Sequence, residues 1–512
     1  MAHPLDPLSG DEFRAVASIL QREHGVVAGA GGPATSNLGW RFASIELAEP
    51  GKTELRAFDD GGPPPPRRAE VICLQRSNNA TYKSLVSLTD DRAESFEHIP
   101  GGQANFTVDE FVECDQLLRT HPDLIAALAK RGVTDMDLVF FDTWTYGDAV
   151  APAEYRDRRL GWSDSWVKAG PGANPYANLI SGLHCVIDLN SMELLLVEDS
   201  GPFSGGGVET PEVMGEYVPS RIPERIRAGL RRETLKPLHI SQPEGPSFTL
   251  DGNLLQWQNW ALRIGFNHRE GMTLHTVRYR DGDRNRSVAH RLSFAEMIVP
   301  YRDPSEDHYR RTAFDIGEWG LGFMTTSLEL GCDCLGEIRY LDAVLHNSKG
   351  EPYTITNAIC IHEEDNAVLW KHVDHDIGAE VRRMRRLTIS FHVTVANYEY
   401  LVYWRLYQDG NIECEVRATG IMVTTPLAPG QANPNGTLVD ERTYAPFHQH
   451  FLVARLDMDI DGSDNTVYMT ESHPEPVGPE NPHGLSLVVR NVPLRTESQA
   501  KQDVNFATQR GW

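Results

Sequence analysis

The chain has 512 residues, of which 40% are hydrophobic and 23% are charged, the composition of a globular protein with about two to four domains. Its formal net charge of −24 argues against nucleic acid as a partner, because an acidic surface cannot replace the counterions of a phosphate backbone. No apolar run is long enough to span a membrane, and seven cysteines are too few for a disulfide scaffold.

The N-terminal region, residues 1–98, is predicted to be a small α+β domain. Residues 1–12 lack the basic and apolar regions of a secretory signal, which predicts a cytoplasmic location. Ser9 and Glu12 have the spacing of a helix capping box, and Gly25 is placed to end that helix. Strand-like segments follow at 40–47, 70–75 and 81–88.

The same order of elements repeats over residues 99–200, which predicts a second small α+β domain. Thr107 and Glu110 form another capping box, Gly132 ends a helical stretch, and strands are expected near 138–144, 184–189 and 193–197. Both small domains are expected to support packing and dimer formation without taking part in chemistry. A connecting arm rich in glycine and proline is predicted over residues 201–246.

Residues 247–512 form strand after strand, which predicts a large and mainly antiparallel β-sandwich. Trp260, Leu262, Ile264 and Phe266 alternate strictly with other residues, and Asp409-Gly410 separates two strand-like segments as in a hairpin. The predicted fold class is therefore α+β, with two small α+β domains followed by the sandwich.

One run in the sandwich, residues 388–396, has apolar side chains at every second position and small or polar side chains between them. If this alternation continues, Tyr398 lies on the polar face and borders a cleft. Taken alone, Tyr398 would be interpreted as an ordinary core tyrosine of a strand.

The sequence Asn397-Tyr398-Glu399-Tyr400 resembles the cofactor motif of the copper amine oxidases, in which the first tyrosine becomes topaquinone. Four further segments resemble the same family in the same order along the chain: 314–322, 330–336, 357–365 and 445–450. The resemblance covers most of the chain. It implies a catalytic β-sandwich that holds the cofactor between its sheets, preceded by paired small domains.

The pair His448 and His450 lies in a stretch, 447–456, that is predicted to be extended. Alternate residues of a strand point the same way, so the two imidazoles can share a metal ion, and imidazole nitrogen suits copper. Alone, this pair would equally fit an unrelated metal-dependent enzyme. The resemblance implies that both are copper ligands and that copper and O2 convert Tyr398 into topaquinone, which condenses with a primary amine.

The resemblance also implies roles for three residues around this cofactor. Asp315 matches the base that removes a proton from the substrate, and its apolar neighbours Phe314, Ile316 and Trp319 favour a raised pKa. Without the resemblance, Asp315 would be interpreted as a turn or cap residue. Tyr301 matches a tyrosine that hydrogen-bonds the quinone, and Asn397 matches the residue that holds the ring in place. Ala313 departs from relatives that carry a bulky gating residue.

Two further groups match the family less decisively. Cys334 and Cys360 match a disulfide within one subunit, which fits poorly with a cytoplasmic location. Asp457, the Met458 carbonyl and Asp459 match the ligands of a peripheral cation, and oxygen ligands suit calcium or manganese. An Asp-rich turn without any metal is the alternative.

The resemblance implies oxidative deamination of primary amines by O2 to aldehyde, ammonia and hydrogen peroxide, in a homodimer. It also implies a third copper histidine in a downstream His-x-Pro-Arg segment, which is not found in the sequence up to Trp512. The chain is therefore expected to be C-terminally truncated. The alternative hypothesis is an inactive family member or fragment that lacks this ligand.

Overall fold

The computed structural model describes residues 3–29, 38–147, 149–201, 216–222, 224, 234–428 and 430–512. Most of the arm predicted at 201–246 lies outside these ranges. No helix within them combines the length and the apolar composition needed to cross a bilayer.

The first α+β unit packs helix α1 (Gly10–His24) against one antiparallel sheet. The capping box is confirmed, because the Ser9 side chain accepts from the Glu12 backbone N–H, and Gly25 ends the helix at φ 65°. The sheet has four strands in chain order, and helix α2 follows the first strand. Their bounds are β1 Trp40–Leu47, α2 Lys52–Asp59, β2 Arg68–Gln75, β3 Ala80–Ser87 and β4 Arg92–Ile99.

The second unit repeats this design with two helices and four antiparallel strands. Its bounds are α3 Val108–Thr120, α4 Pro122–Ala129, β5 Val139–Thr145, β6 Leu160–Val167, β7 Asn178–Asp188 and β8 Glu193–Asp199. The sequence did not predict β6. Every residue of that strand is buried, so apolar and polar positions do not alternate along it.

The sandwich is built from two facing sheets. The first contains β9 Phe248–Asp251, β10 Leu254–Trp257, β11 Trp260–Asn267, β12 Gly271–Asp281, β13 Arg284–Pro300 and β14 Thr312–Phe314. After the short helix α5 (Asp315–Glu318), the second contains β15 Arg339–His346, β16 Pro352–Asp374, β17 Gly378–Val395, β18 Tyr398–Tyr407 and β19 Ile412–Gly420. Side chains of both sheets form one core, in which Phe294 and Trp404 meet with ring centroids 6.2 Å apart.

The remaining elements are one strand that joins the first sheet, two small separate sheets and a short helix. They are β20 Thr425–Pro426, β21 Gly436–Asp440, β22 Thr443–Pro446, β23 Phe451–Met458, β24 Tyr468–Pro474, β25 Leu487–Pro493 and helix α6 Glu497–Ala500. Strand β23 pairs antiparallel with β13 and so joins the first sheet. This pairing brings the segment before β23 close to the end of β13.

The central run ends differently from the prediction. Strand β17 stops at Val395, which pairs with Tyr398, and only Ala396 and Asn397 form the turn between β17 and β18. Ala396 has φ 52°, a left-handed conformation that turns the chain back. Tyr398 is therefore the first residue of the next strand, and the alternation along β17 does not decide which way its side chain points.

Candidate active site

An inner cavity lies beside the turn between β17 and β18. It is lined by side chains from the second α+β unit and from both sheets of the sandwich: Trp144, Val299, Tyr301, Arg311, Asp315, Val395, Asn397 and Tyr398. Tyr398 and the three residues predicted to surround it, Tyr301, Asp315 and Asn397, thus line a single space, although almost a hundred positions separate Tyr301 from Tyr398.

The Tyr398 hydroxyl is held by two side chains. The Tyr301 hydroxyl donates to it over 3.3 Å, and its oxygen lies 2.9 Å from Nε2 of His448. Burial, followed by the charge of Tyr398, raises the pKa of Tyr301 well above its usual value. Tyr301 therefore stays a neutral hydrogen-bond donor at physiological pH.

Asn397 fixes the turn that carries Tyr398. Its Nδ2 donates to the Ile421 carbonyl over 2.5 Å, and its own carbonyl accepts from the Ile421 backbone N–H over 2.6 Å. These two contacts tie the turn to the chain just after β19, so the tyrosine that follows has a fixed starting point.

Asp315 begins helix α5 and is 1% exposed. Burial, and then the nearby Glu318 and Glu296 carboxylates, raise the pKa of Asp315 well above its usual value. Its Oδ1 atom has no hydrogen-bond partner among the described residues. Of the apolar neighbours expected to bury it, Ile316 and Trp319 are themselves buried, whereas Phe314 is 45% exposed.

His448 and His450 come together as predicted, but they lie in the segment between β22 and β23 and not on a strand. The extended strand β23 starts only at Phe451, and His448 instead makes an isolated bridge with Tyr301. The ring centroids of His448 and His450 are 4.9 Å apart. Nδ1 of His448 lies 2.9 Å from the Pro446 carbonyl, which can only accept, so Nδ1 carries the proton and Nε2 has a free lone pair toward Tyr398.

These two imidazoles fit a copper ion. Burial, followed by the charge of His448, lowers the pKa of His450 to about 4, which keeps it neutral as a metal ligand must be. The carbonyl partner of His448 is the kind of second contact that orients a ligating histidine. A pair of imidazole nitrogens beside a phenol is a donor set that suits copper.

Several residues at this site were not found from the sequence. Arg311 lines the inner cavity and is fully buried against Asp164, and Trp144 comes from strand β5 of a different unit. The Tyr400 hydroxyl lies 2.7 Å from Nδ1 of His450. Only Tyr400 had a sequence signal, since it belongs to the Asn-Tyr-Glu-Tyr motif. The side chain of Ala313 lies outside the described part of the structure.

Cys334 and Cys360 are buried thiols that lie close to each other and to His362. Their sulfur atoms and a ring nitrogen of His362 all lie within 4.8 Å of one another, and Nδ1 of His362 is 3.3 Å from the Cys360 sulfur. The structure thus brings the predicted pair together in the reduced form, and the disulfide stays a prediction.

The predicted peripheral cation ligands pair with basic side chains of helix α2. Lys52 Nζ lies 2.5 Å from Asp457 Oδ1, and Arg56 donates to Asp459 Oδ1 over 2.6 Å. Ser287 donates to the other oxygen of Asp459 over 2.7 Å. Each carboxylate thus has a basic partner, and calcium or manganese binding there stays a prediction.

Comparison with known proteins matches three sequence models of one family to this chain. Residues 249–512 match the copper amine oxidase enzyme domain, residues 3–97 its N2 domain and residues 109–206 its N3 domain. The chain is 40% identical over 516 residues to the primary amine oxidase of Arthrobacter sp. (strain P1), covering 100% of this chain and 75% of the relative. It is 38% identical over 550 residues to the peroxisomal diamine oxidase [copper-containing] 1 of Nicotiana tabacum, covering 100% and 68%.

A solved structure agrees with this similarity. The copper-containing benzylamine oxidase from Hansenula polymorpha superimposes with a TM-score of 0.82 at 30% identity, over 96% of this chain and 76% of that chain. The family relationship thus rests on sequence and on fold alike.

Proposed function

The chain belongs to the copper amine oxidase family, and we propose how its own residues carry out the family's reaction, the oxidation of a primary amine by O2 and water to aldehyde, ammonia and hydrogen peroxide. The observation that carries the proposal is that Asp315 and Tyr398 line one cavity while the Tyr398 hydroxyl contacts the His448 imidazole. When bound, copper and the topaquinone formed from Tyr398 supply the electrophile for the amine and the two-electron redox capacity that reduces O2.

Asp315 is the general base of this proposal. Its carboxylate takes the proton from the substrate carbon that bears the amine, a transfer made easier because burial has already raised its pKa toward that of a useful base. An unpartnered carboxylate oxygen facing a cavity is free to accept that proton.

Tyr301 and Asn397 are positioning residues. Tyr301 donates to the Tyr398 oxygen, and Asn397 anchors the turn from which the Tyr398 ring extends. Fixed donors of this kind lower the cost of orienting the reacting groups.

His448 and His450 would hold the copper ion. Nε2 of His448 accepts from the Tyr398 hydroxyl, and the neutral ring of His450 lies beside it. Tyr400 holds the His450 ring through Nδ1.

The test is to express the chain, load it aerobically with copper and follow a pink chromophore that reacts with phenylhydrazine. We expect the chromophore in the parent chain and its loss in Tyr398→Phe and His450→Ala, together with amine-dependent release of hydrogen peroxide. A copper-loaded, folded protein in which mass spectrometry finds plain tyrosine at position 398 would overturn the proposal and favour a role in binding without catalysis.

Two further inferences, a homodimer and a disulfide, extend the proposal. We infer a homodimer, because the hairpin of β16 and β17 extends from the sandwich with Trp370, Val373 and Ile377 exposed, a surface that a second copy can cover. We also infer a disulfide between Cys334 and Cys360 under oxidising conditions. Sedimentation and thiol titration test these two inferences separately.

The location is also a proposal. We propose a cytoplasmic enzyme, whereas the tobacco relative and one from Pichia angusta are named peroxisomal. Fractionation of the native host cell, followed by detection of the protein, separates these two locations.

A further inference from the structure

A cluster of three side chains of the kinds that bind metal ions lies outside the active site. Cys334, Cys360 and His362 are all buried, and their two sulfur atoms and one ring nitrogen lie within 4.8 Å of one another. None of the three is among the residues that line the inner cavity. The cluster therefore needs an explanation of its own.

Strand β16 supplies two of the three groups and the partner of one of them. Cys360, His362 and Glu364 occupy alternate positions of this strand and so share one of its faces. Nδ1 of His362 lies 3.3 Å from the Cys360 sulfur, and Nε2 lies 3.0 Å from Oε1 of Glu364. An ionised carboxylate can only accept, so Nε2 carries the proton and Nδ1 keeps its lone pair toward the sulfur.

The contact with Glu364 gives His362 the environment of a metal-bound histidine. A ligating histidine usually donates its other ring N–H to a carboxylate, which fixes the orientation of the ring. Glu364 is itself held in place, because Nε of Arg386 donates to its second oxygen over 2.7 Å. The lone pair of His362 is thus oriented before any metal ion arrives.

Cys334 reaches this face of β16 from the loop between α5 and β15. The Leu328 backbone N–H donates to the Asn357 carbonyl over 3.0 Å, which ties the loop to β16. Leu328, Cys334 and Cys360 then pack together in a small apolar cluster. The loop therefore holds one sulfur atom against the strand that carries the other.

These three ligands suit zinc better than a metal that prefers oxygen. Zinc binds cysteine and histidine in tetrahedral geometry, in which the ligand atoms lie about 3.5 to 3.8 Å apart. The cluster would need to contract by only about 1 Å to close on the ion. Two thiolates balance the two charges of the ion, so the filled site adds no net charge to a buried region. Water can take the fourth position.

We propose that Cys334, Cys360 and His362 bind a zinc ion when the protein is reduced, with Glu364 as the residue that positions His362. The ion links the loop that carries Cys334 to strand β16. This site does not depend on the proposed amine oxidation. A disulfide would use the same two sulfur atoms, so zinc binding and the disulfide exclude each other.

The first test uses cobalt(II), which occupies zinc sites and gives a charge-transfer absorption band with thiolate ligands. The copper-free full chain is reduced, titrated with Co²⁺ without oxygen, and then titrated with Zn²⁺. We expect one equivalent of Co²⁺ to produce the thiolate band and Zn²⁺ to remove it by displacement. His448 and His450 offer no sulfur, so cobalt bound by them gives no such band. A folded, reduced chain that lacks the band would overturn the proposal.

The second test assigns the band to these side chains. Cys360→Ser should abolish it, and Glu364→Gln should keep it at saturation but weaken cobalt binding by about 10 to 100-fold, the usual effect of losing the partner of a ligating histidine. Cys332→Ser is the matched control, because it removes an exposed thiol two positions from Cys334 and should leave the band unchanged. A band lost in Cys332→Ser, or kept in Cys360→Ser, would overturn the assignment.

A measurement on the parent chain decides the matter if near-UV circular dichroism shows that Cys360→Ser is unfolded. Hydrogen peroxide oxidises two thiols to one disulfide and is itself reduced to two water molecules. Once peptide mapping shows the disulfide between Cys334 and Cys360, the cobalt band should be absent, and it should return after reduction. A band of parent intensity in the chain with this disulfide would overturn the proposal.

Discussion

At the scale of single residues, the site depends on carboxyl groups that are buried without basic partners. Asp315 has Glu318 and Glu296 as its charged neighbours, and burial is the largest cause of its raised pKa. The pKa of Glu318 is itself raised to about 7, mainly by burial. Burial of carboxyl groups without basic partners lowers the stability of the fold. The raised pKa that results suits a base that works near neutral pH.

Replacement of the base should abolish turnover while leaving the cofactor. In Asp315→Asn we expect kcat with a primary amine to fall by about 10² to 10⁴-fold, the usual contribution of a positioned base. The phenylhydrazine-reactive chromophore should still form, because Tyr398 and its histidines are unchanged. Glu329→Gln, an exposed position, is the control, and parent-like turnover in Asp315→Asn would assign the base elsewhere.

The pH dependence should follow the neighbours of the base. Asp315 acts only when deprotonated, so kcat/KM should rise as pH increases through its raised pKa. Glu318→Gln removes one of the charges that raise this pKa, and the acid side of the profile should therefore move to lower pH. A profile that stays in place or moves to higher pH would show that Asp315 does not control it.

At the scale of elements, Tyr398 lies on the strand pair β18 and β19, which has a glycine at each end. Gly420 closes β19 opposite Tyr398, with φ 101°, and a Cβ atom there would lie 2.6 Å from the Asn397 carbonyl oxygen. The other end of the pair turns at Gly410, where a Cβ atom would meet nothing closer than 3.9 Å. Only one of the two glycines is therefore required by close packing.

This difference gives a matched pair of variants. Gly420→Ala should push the turn at Asn397 and misplace the Tyr398 ring, so chromophore formation should slow markedly, with a loss of stability of about 1–3 kcal/mol. Gly410→Ala carries the same backbone penalty without the contact and should form the chromophore at nearly the parent rate. If the chromophore formed slowly in both variants, or at the parent rate in both, this explanation would be contradicted.

At the scale of the whole molecule, the second α+β unit forms part of the active site. Strand β5 supplies Trp144 to the inner cavity, and the Phe106 backbone N–H donates to the Glu318 carbonyl over 2.7 Å. Arg311 of the sandwich pairs with Asp164 of β6 in a fully buried contact. Both small domains were expected to support packing and dimer formation without taking part in chemistry, and the second unit in addition lines the inner cavity through Trp144.

The buried pair should make this junction sensitive to mutation. Arg311→Gln leaves Asp164 buried without its cation, and we expect a loss of stability of about 3–5 kcal/mol, read as a lower urea midpoint. The double variant with Asp164→Asn should recover part of that loss. Arg383→Gln breaks an ion pair whose side chains are 62% and 63% exposed, and it should change stability by about 1 kcal/mol or less. An equal effect of both arginine variants would contradict this assignment.

The sequence by itself determined the elements whose cause is local. The capping boxes at Ser9 and Thr107 need only residues three positions apart, and both helices begin where these residues predict. The resemblance to the family motifs also selected Asp315, Tyr398, His448 and His450 as candidate site residues, and their roles stay predictions.

Only the tertiary structure decided what surrounds them. Strand β6 has no alternating pattern because both of its faces are covered, and Tyr398 points into the cavity because a two-residue turn at Ala396 ends β17 early. The cation that faces the buried Asp164 is Arg311, which lies 147 positions later in the chain. Burial and charge balance depend on which distant segments pack together, and no local pattern in the chain contains that information.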